Sequence, residues 1–319
     1  MSIPDVITMG ETMIAFEAQD FGPLREVDAF RKWVGGAENN VAVGLSRLGI
    51  STGWFSRLGN DEFGKQILRT IKGEGVDVSK VIFDDQAPTG VFFVERRINK
   101  DFNCFYYRKS SAASRISPAD IDPDYISKAK IIYLTGITPV LSESALLAIE
   151  KMFEIALNAR QTIVFDPNLR LRLCDIDTAR SVLIPLMQKS THVLPGEEEI
   201  KMLMDCRDLS EAVQKSHSLG INNLVIKTGA RGALCAVSGK KQVEVKGFNV
   251  KNILSTMGAG DSFDAGFIAG LLHDEPLEQC ARWGNALGAF CLTSYGPYHA
   301  LPDFQELQAF LKGESGFSR

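Results

Sequence analysis

The sequence predicts an α/β fold, with a parallel sheet covered on both faces by helices and a small β appendage beside it. Three observations lead there. Short apolar runs of β type alternate with helical runs over most of the chain. The 319 residues can bury a large core, as one large α/β domain or one domain with a smaller appendage. Residues 15–34 lack a helical period, and residues 91–107 alternate and are rich in β-formers with no helix between the runs.

In chain order, residues 6–9 read as an opening strand that ends at Gly10. Residues 39–48 read as a helix, with Val41, Val43, Leu45 and Leu48 as core positions. Residues 54–56 form the next strand and 62–71 the next helix. Further on, strand 131–134 precedes helix 143–157, strand 162–165 precedes helix 178–187, and strand 192–194 precedes helix 197–204. A helix over 211–218 is followed by strand 224–226. The β-rich stretches have apolar faces that need cover, so they are expected to act as a lid, a dimer surface or both. There is no internal repeat or low-complexity segment, and the tail after Gly313 is expected to fray.

Composition excludes several classes of function. A net charge of −4 and a pI of about 5.7 argue against a nucleic-acid partner. No apolar run approaches the roughly 20 residues needed to span a bilayer, and Met1-Ser2-Ile3-Pro4-Asp5 has no signal-peptide pattern, so no membrane partner and a cytoplasmic location are expected. Cys104, Cys174, Cys206, Cys235, Cys280 and Cys291 are scattered without a C-x-x-C pair, which suits reduced thiols. His192, His217, His273 and His299 lack ligand spacing.

The most informative stretch is Ser255-Thr256-Met257-Gly258-Ala259-Gly260-Asp261-Ser262-Phe263. A glycine-rich turn feeding a helix aims backbone N–H groups at one point, which suits a phosphate. The carboxylate of Asp261 at its mouth suits the proton of an attacking hydroxyl. Together they suggest phosphoryl transfer to an alcohol; on spacing alone, a tight turn and a helix-start carboxylate explain the same residues. Gly35-Gly36-Ala37-Glu38-Asn39-Asn40 forms a second cluster, either close backbone approach to a ligand or a turn and helix cap. Lys227-Thr228-Gly229-Ala230-Arg231-Gly232 follows a strand, at the carboxyl end where α/β sheets bind ligands, or is a β-hairpin turn. No P-loop occurs, and Phe263 fills the third glycine's place of a dinucleotide fingerprint, which disfavours a nicotinamide dehydrogenase.

In this order the motifs resemble the ribokinase (PfkB-type) family of carbohydrate kinases over nearly the whole chain. The stretch from Gly35 to Asn40 resembles the N-terminal signature, followed at the usual spacing by Arg57-Leu58-Gly59-Asn60-Asp61-Glu62-Phe63-Gly64. The stretch from Thr256 to Phe263 resembles the C-terminal signature, and Lys227 to Gly232 the nucleotide-side turn. The resemblance implies a three-layer αβα fold in a single domain over 1–319, with a central mostly parallel sheet and a β lid from about 12–34 and 88–111. It implies ATP and Mg²⁺ as cofactors. Asp261 would be the base, and the N–H groups of Gly258, Ala259 and Gly260 the anion hole. Gly35, Gly36 and Asn39 would meet the sugar; Lys227, Thr228, Gly229 and Gly232 would line the ATP site, with Asn285 near the adenine. Glu199 would help organise Mg²⁺ through water, although three adjacent glutamates at a helix start also complement its dipole.

Within the family the chain looks most like 2-keto-3-deoxygluconate kinases. The resemblance rests on Phe105-Tyr106-Tyr107-Arg108-Lys109-Ser110, Leu134-Thr135-Gly136-Ile137-Thr138-Pro139 and Phe165-Asp166-Pro167-Asn168-Leu169-Arg170. It implies contacts from Tyr106, Arg108 and Arg170 to an acid sugar, and guanidinium suits a carboxylate. Four departures stand out. Ser255 replaces the aspartate associated with a monovalent-cation site, making that cation a doubtful cofactor. Gly196 replaces the asparagine before the glutamate cluster, Phe92 replaces a tyrosine, and Tyr295-Gly296-Pro297-Tyr298 lacks an acidic residue. The alternatives are a fructokinase or other sugar kinase of this family, and, in another class, a non-catalytic sugar-binding regulatory protein. Related enzymes often pair through the β lid, so a homodimer there is one assembly open to this chain, and the sequence leaves the oligomeric state open.

Overall fold

In the computed structural model, which describes residues 3–97 and 100–313, the alternating runs become strands and helices in the predicted order. The first half comprises β1 (Val6–Met9), β2 (Met13–Phe21), β3 (Phe30–Gly35), α1 (Ala37–Arg47), β4 (Thr52–Phe55), β5 (Arg57–Gly59), α2 (Glu62–Gly73), β6 (Ile82–Asp84), β7 (Val91–Arg97), β8 (Lys100–Tyr107), α3 (Pro123–Ile126), β9 (Ile131–Thr135) and α4 (Glu143–Asn158). The second comprises β10 (Thr162–Asp166), α5 (Ile176–Lys189), β11 (His192–Val193), α6 (Glu197–Met204), α7 (Leu209–Ser218), β12 (Asn223–Lys227), β13 (Gly232–Val237), β14 (Val243–Lys246), α8 (Ala259–Leu272), α9 (Leu277–Cys291) and α10 (Phe304–Lys312).

The main sheet has the order β14-β13-β12-β11-β10-β9-β1-β4. From β12 to β4 its strands are parallel, in register pairs such as Val6 with Ile131 and Val6 with Thr52. Side chains alternate across it. Val6, Ile131, Tyr133 and Val164 join a core with α1, α2, α8, α9 and α10. Ile7, Ile132, Leu134 and Ile163 join a second core with α3 to α7. Two cores on opposite faces of one sheet make three layers, and the fully buried strands carry apolar residues on both faces.

Two features go beyond a purely parallel reading. β13 and β14 extend the sheet antiparallel, so the turn after Lys227 is a hairpin turn. Alternation of strands and helices could not show this, because a hairpin leaves no helix to count. Gly232 turns the chain at φ 109°, and a Cβ there would lie 2.1 Å from the Val245 carbonyl oxygen.

The β-rich stretches form a separate four-stranded sheet, β3-β2-β7-β8. β2 pairs in parallel with β7, while β3 and β8 run antiparallel at the edges. One face buries Met13, Ala15, Trp33, Phe92, Val94 and Cys104, with Met257 packed against them. That face is therefore turned toward the residues that precede Gly258. Behind it, Phe16 stacks on Phe93 (5.2 Å between ring centroids) and meets Phe63 of α2 edge-on (5.8 Å).

The stretch Arg57–Gly64 is structural in its side-chain contacts. Asp61 caps α2 by accepting from the Gly64 N–H (2.8 Å), and its second oxygen accepts from the Thr89 N–H (2.8 Å) at the entry to β7. Arg57 pairs with Asp84 and Asp120. Among the described residues, no helix is long and apolar enough to cross a membrane. The segment after Gly313, expected to fray, lies outside the described residues.

Candidate active site

The carboxyl ends of β1, β9, β10 and β12 and the amino ends of α1 and α8 converge on one region. Gly258 is the N-cap of α8, at φ 84°. A Cβ there would lie 2.4 Å from Pro297 Cβ, so both the backbone and the packing require glycine. At Gly260 the nearest atom to a Cβ would be Lys227 Nζ, at 3.7 Å. Packing therefore leaves Gly260 open, and a ligand can approach its backbone closely. Four N–H groups at a helix start have no partner within the helix. Ala259 N–H turns back to the Thr256 carbonyl (3.3 Å), while Ser262 N–H makes the first helical bond, to Gly258 O (2.8 Å). Among the described residues, the N–H groups of Gly258, Gly260 and Asp261 have no backbone or side-chain acceptor recorded. They are the free donors of this turn.

Asp261 is half-buried in the first turn. Its Oδ2 accepts from Asn40 Nδ2 (2.7 Å), so α1 and α8 meet at this carboxylate. Burial pushes its carboxyl above the usual carboxylate range; the Asn40 bond and the charges of Arg170 and Lys227 oppose that, and Asp166 adds to it. A carboxylate made more basic by burial suits proton abstraction.

Behind the turn lies a charge network that motif reading did not assemble. Lys227 Nζ, at the end of β12, donates to Asp166 Oδ2 (2.8 Å) at the end of β10 and to Asp264 Oδ1 (3.1 Å) on α8. Tyr133 of β9 donates its hydroxyl to Asp264 Oδ2 (2.9 Å). Burial works against the Lys227 ammonium, but its two carboxylates outweigh that and hold it charged. Burial also pushes the Asp264 carboxyl well up, against the pull of Lys227. Asp264 stands one helical turn after Asp261, a spacing visible in the sequence.

The N-terminal cluster packs against the same region. Gly36 starts α1, and a Cβ on it would strike the Glu11 carbonyl oxygen at 2.2 Å; a Cβ on Gly35 would strike the Trp33 ring at 2.5 Å. Asn39 is fully buried, with Oδ1 accepting from the Thr12 hydroxyl (3.0 Å) and Nδ2 unpartnered. Asn40, not Asn39, reaches Asp261. Glu38 is buried too: Oε1 accepts from the Thr135 and Thr138 hydroxyls (2.7 and 2.8 Å), and Oε2 has no partner. Burial pushes its carboxyl up to about 7.

Tyr106, on β8, stacks on Phe92 (5.4 Å between centroids), with Arg108 over its ring. Arg108 is no exposed strand charge. Its Nε donates to Glu11 Oε2 (2.6 Å), its Nη2 pairs with the same oxygen, and Ser111 Oγ donates to Glu11 Oε1 (2.5 Å). Glu11, two residues beyond β1, is thus a site residue that the motifs missed; a carboxylate just past a strand's carboxyl end was the available signal. Arg170 follows β10 and is exposed; its carbonyl accepts from the Leu173 N–H (2.8 Å), while among the described residues its guanidinium has no ion pair or hydrogen bond. Its charge acts on Asp261, Glu199 and Tyr106. Two residues on, Arg172 reaches β8, donating to the Cys104 carbonyl and to Asn103 Oδ1 (2.7 Å).

Thr228, Gly229 and Gly232 lie in the β12–β13 turn. Asn285 on α9 donates to the Val245 and Lys246 carbonyls (3.1 and 3.3 Å), tying α9 to β14 beside that turn. Glu199 Oε2 accepts from the Gly196 N–H (2.8 Å) and so caps α6. Its carboxyl is raised by burial and by Asp166, against Lys227. Among the described residues, no three side chains form a ready metal cage. Hard oxygen donors beside an unpartnered, buried Asn168 Oδ1 nevertheless fit Mg²⁺, which keeps waters and takes few protein ligands.

Comparison with known proteins places this geometry in a family. The curated 2-dehydro-3-deoxygluconokinase of Bacillus subtilis (strain 168) is 36% identical over 312 residues, 97% of this chain and 96% of that protein. A PfkB protein from Polaromonas sp. JS666 superimposes with a TM-score of 0.86 at 36% identity, over 96% of this chain and 99% of the other. A putative ribokinase II from E. coli, solved with ATP and Mg²⁺, shares the fold at 24% identity and a TM-score of 0.89, over 98% of this chain and all of its own. The profile of the pfkB family carbohydrate kinases matches residues 4–303, and the chain belongs to that family of sugar kinases.

Proposed function

We propose that this sugar kinase transfers the γ-phosphate of ATP to the terminal hydroxyl of 2-keto-3-deoxygluconate. The observation that carries the reading is Asp261, fixed by Asn40, beside the free amides of the α8 turn, with the charge of Arg170 acting on both Asp261 and Tyr106. Asp261 accepts the proton of the attacking hydroxyl while Asn40 fixes its carboxylate. The amides of Gly258 and Gly260 receive the charge that develops on the transferring phosphoryl group; Ala259, turned to Thr256, contributes less. Gly35, Gly36 and Asn39 shape the sugar side, and Thr228, Gly229, Gly232 and Asn285 the nucleotide side. Bound Mg²⁺ would neutralise phosphate charge, with Glu199 holding its water.

The acid sugar is favoured because Arg170 is a cation without a carboxylate of its own, and the Bacillus subtilis relative is named for a keto-deoxy sugar acid. The single domain over 1–319, the small sheet as a lid over the site, a cytoplasmic location and a homodimer through that sheet belong to the same reading. A monovalent cation stays a doubtful cofactor on this reading, since Ser255 supplies no carboxylate there and its Oγ accepts from the Met257 N–H (3.2 Å). The test is an ADP-release assay across acid sugars, neutral ketoses and nucleosides. The expected result is turnover with 2-keto-3-deoxygluconate well above fructose. A preference for fructose would select the fructokinase alternative, and no ADP release with any of these compounds would leave a binding protein.

A further inference from the structure

Lys227 stands in the nucleotide-side turn by sequence, yet its ammonium points away from that turn. It crosses beneath α8 to Asp166 and Asp264, and lies 3.7 Å from the point where Gly260 would carry a Cβ. Its backbone is pinned as well, its N–H donating to the Pro195 carbonyl (2.8 Å). The β10 end, the β12 end and the first turn of α8 therefore meet at one nitrogen. Tyr133 adds β9 through Asp264.

We propose that Lys227 is a positioning residue rather than a nucleotide ligand: it fixes the first turn of α8, and with it Asp261 and the Gly260 amide, against the sheet. The argument is geometric. Asp261 and Gly260 lie three and four residues before Asp264, on the same side of the helix. A helix start held by one ion-paired network cannot slide along the sheet without breaking bonds to both carboxylates. Catalysis by preorganised amides depends on such fixity, because a donor displaced by about 1 Å loses much of its effect. An ammonium with both carboxylates in hydrogen-bond reach also has little left to offer a phosphate.

The inference rests on the kinase reading, and the test keeps the two apart. MgATP affinity and steady-state rates are measured for wild type, Lys227→Met, Tyr133→Phe, Asp264→Asn and Lys227→Met/Asp264→Asn. If wild type phosphorylates no sugar, the kinase reading fails. The present inference is judged on ratios to wild type, and on MgATP binding by calorimetry, which needs no turnover. Lys227→Met is expected to lower kcat about a hundredfold with the KM for ATP within threefold of wild type. Tyr133→Phe, which keeps the ring in its core, is expected to lower kcat several-fold with the same unchanged KM, and covers the case in which Lys227→Met does not fold. The double variant is expected to be no slower than Lys227→Met, since the two residues act as one unit. A Lys227→Met chain whose KM and Kd for MgATP rise tenfold or more with kcat retained would overturn the proposal. So would additive losses in the double variant, or a Tyr133→Phe chain with wild-type kcat.

Discussion

Replacing Glu38 with glutamine isolates one buried carboxyl and reads its cost directly. Glu38 is 1% exposed, and its Oε2 has no partner to offset the loss of water. Burial raises its carboxyl from 4.5 to about 7, in spite of the two threonine hydroxyls on Oε1. At 1.36 kcal/mol per pH unit, that rise corresponds to about 3 kcal/mol. Between those two values the folded chain holds a proton that the unfolded chain has released. Stability therefore falls as pH rises through this window and levels off above it. Glutamine keeps the oxygen that faces Thr135 and Thr138 but has no proton to lose. The stability of Glu38→Gln relative to wild type should thus climb by about 3 kcal/mol from about pH 4.5 to about pH 7.5. Urea unfolding at several pH values, followed by tryptophan fluorescence, measures it. Parallel pH profiles for the two proteins would refute the buried-carboxyl reasoning.

Asp261→Asn should fold as wild type by circular dichroism and lose about 10²–10⁴ in kcat; a loss within threefold would sink the base assignment. In wild type, kcat/KM should rise with pH as Asp261 ionises, with an acid limb above the ordinary carboxylate range because burial holds that carboxyl up; a limb at or below that range would contradict it. Arg170→Ala should weaken use of the acid sugar about ten- to a hundredfold while sparing neutral ketoses, as fits one lost charged hydrogen bond, and equal losses on both would reject the carboxylate role. Arg108→Ala should differ in kind. It strands the buried Glu11 charge, so thermal melting should show a large loss of stability beyond any change in selectivity. Turnover in potassium and in tetramethylammonium buffers should agree within twofold, and a large potassium activation would restore a cation site near Ser255 despite its missing carboxylate.

The layers were legible because periodicity reports burial: Val6 with Ile7, and Ile131 with Ile132, send neighbours to opposite cores. The catalytic turn was legible because glycine and a helix start are local signals. Pairings between distant segments left no such trace. Nothing near Arg108 announces Glu11, 97 residues away, and nothing near Asp261 selects Asn40 over Asn39, 221 residues from it. Helix phase decides that choice: one asparagine of α1 turns to Thr12 and the next to α8. The antiparallel edge was hidden for another reason: the sequence was legible as strands paired with helices, and a hairpin leaves no helix to count.

The distribution of charge explains why the pieces belong together. Asp166 acts on Glu199, Asp261 and Asp264, Asp261 acts on Asp264, and the cations opposing these carboxylates are Lys227 and Arg170. Two like charges about 4 Å apart repel by about 4 kcal/mol at an effective dielectric of 20, so an uncompensated cluster would expel a polyphosphate. Lys227 pairs with two of the carboxylates, and the proposed reading assigns Arg170 to the sugar. On the proposed reading, ATP therefore has to arrive with its own divalent cation, and the free amides of Gly258 and Gly260 are the donors this chain adds at the transferring group. Burial, with Asp166 adding to it, holds the Asp261 carboxyl above the ordinary carboxylate range, which suits a base. Asp166 links the two, since it engages Lys227 and adds to the rise at Asp261.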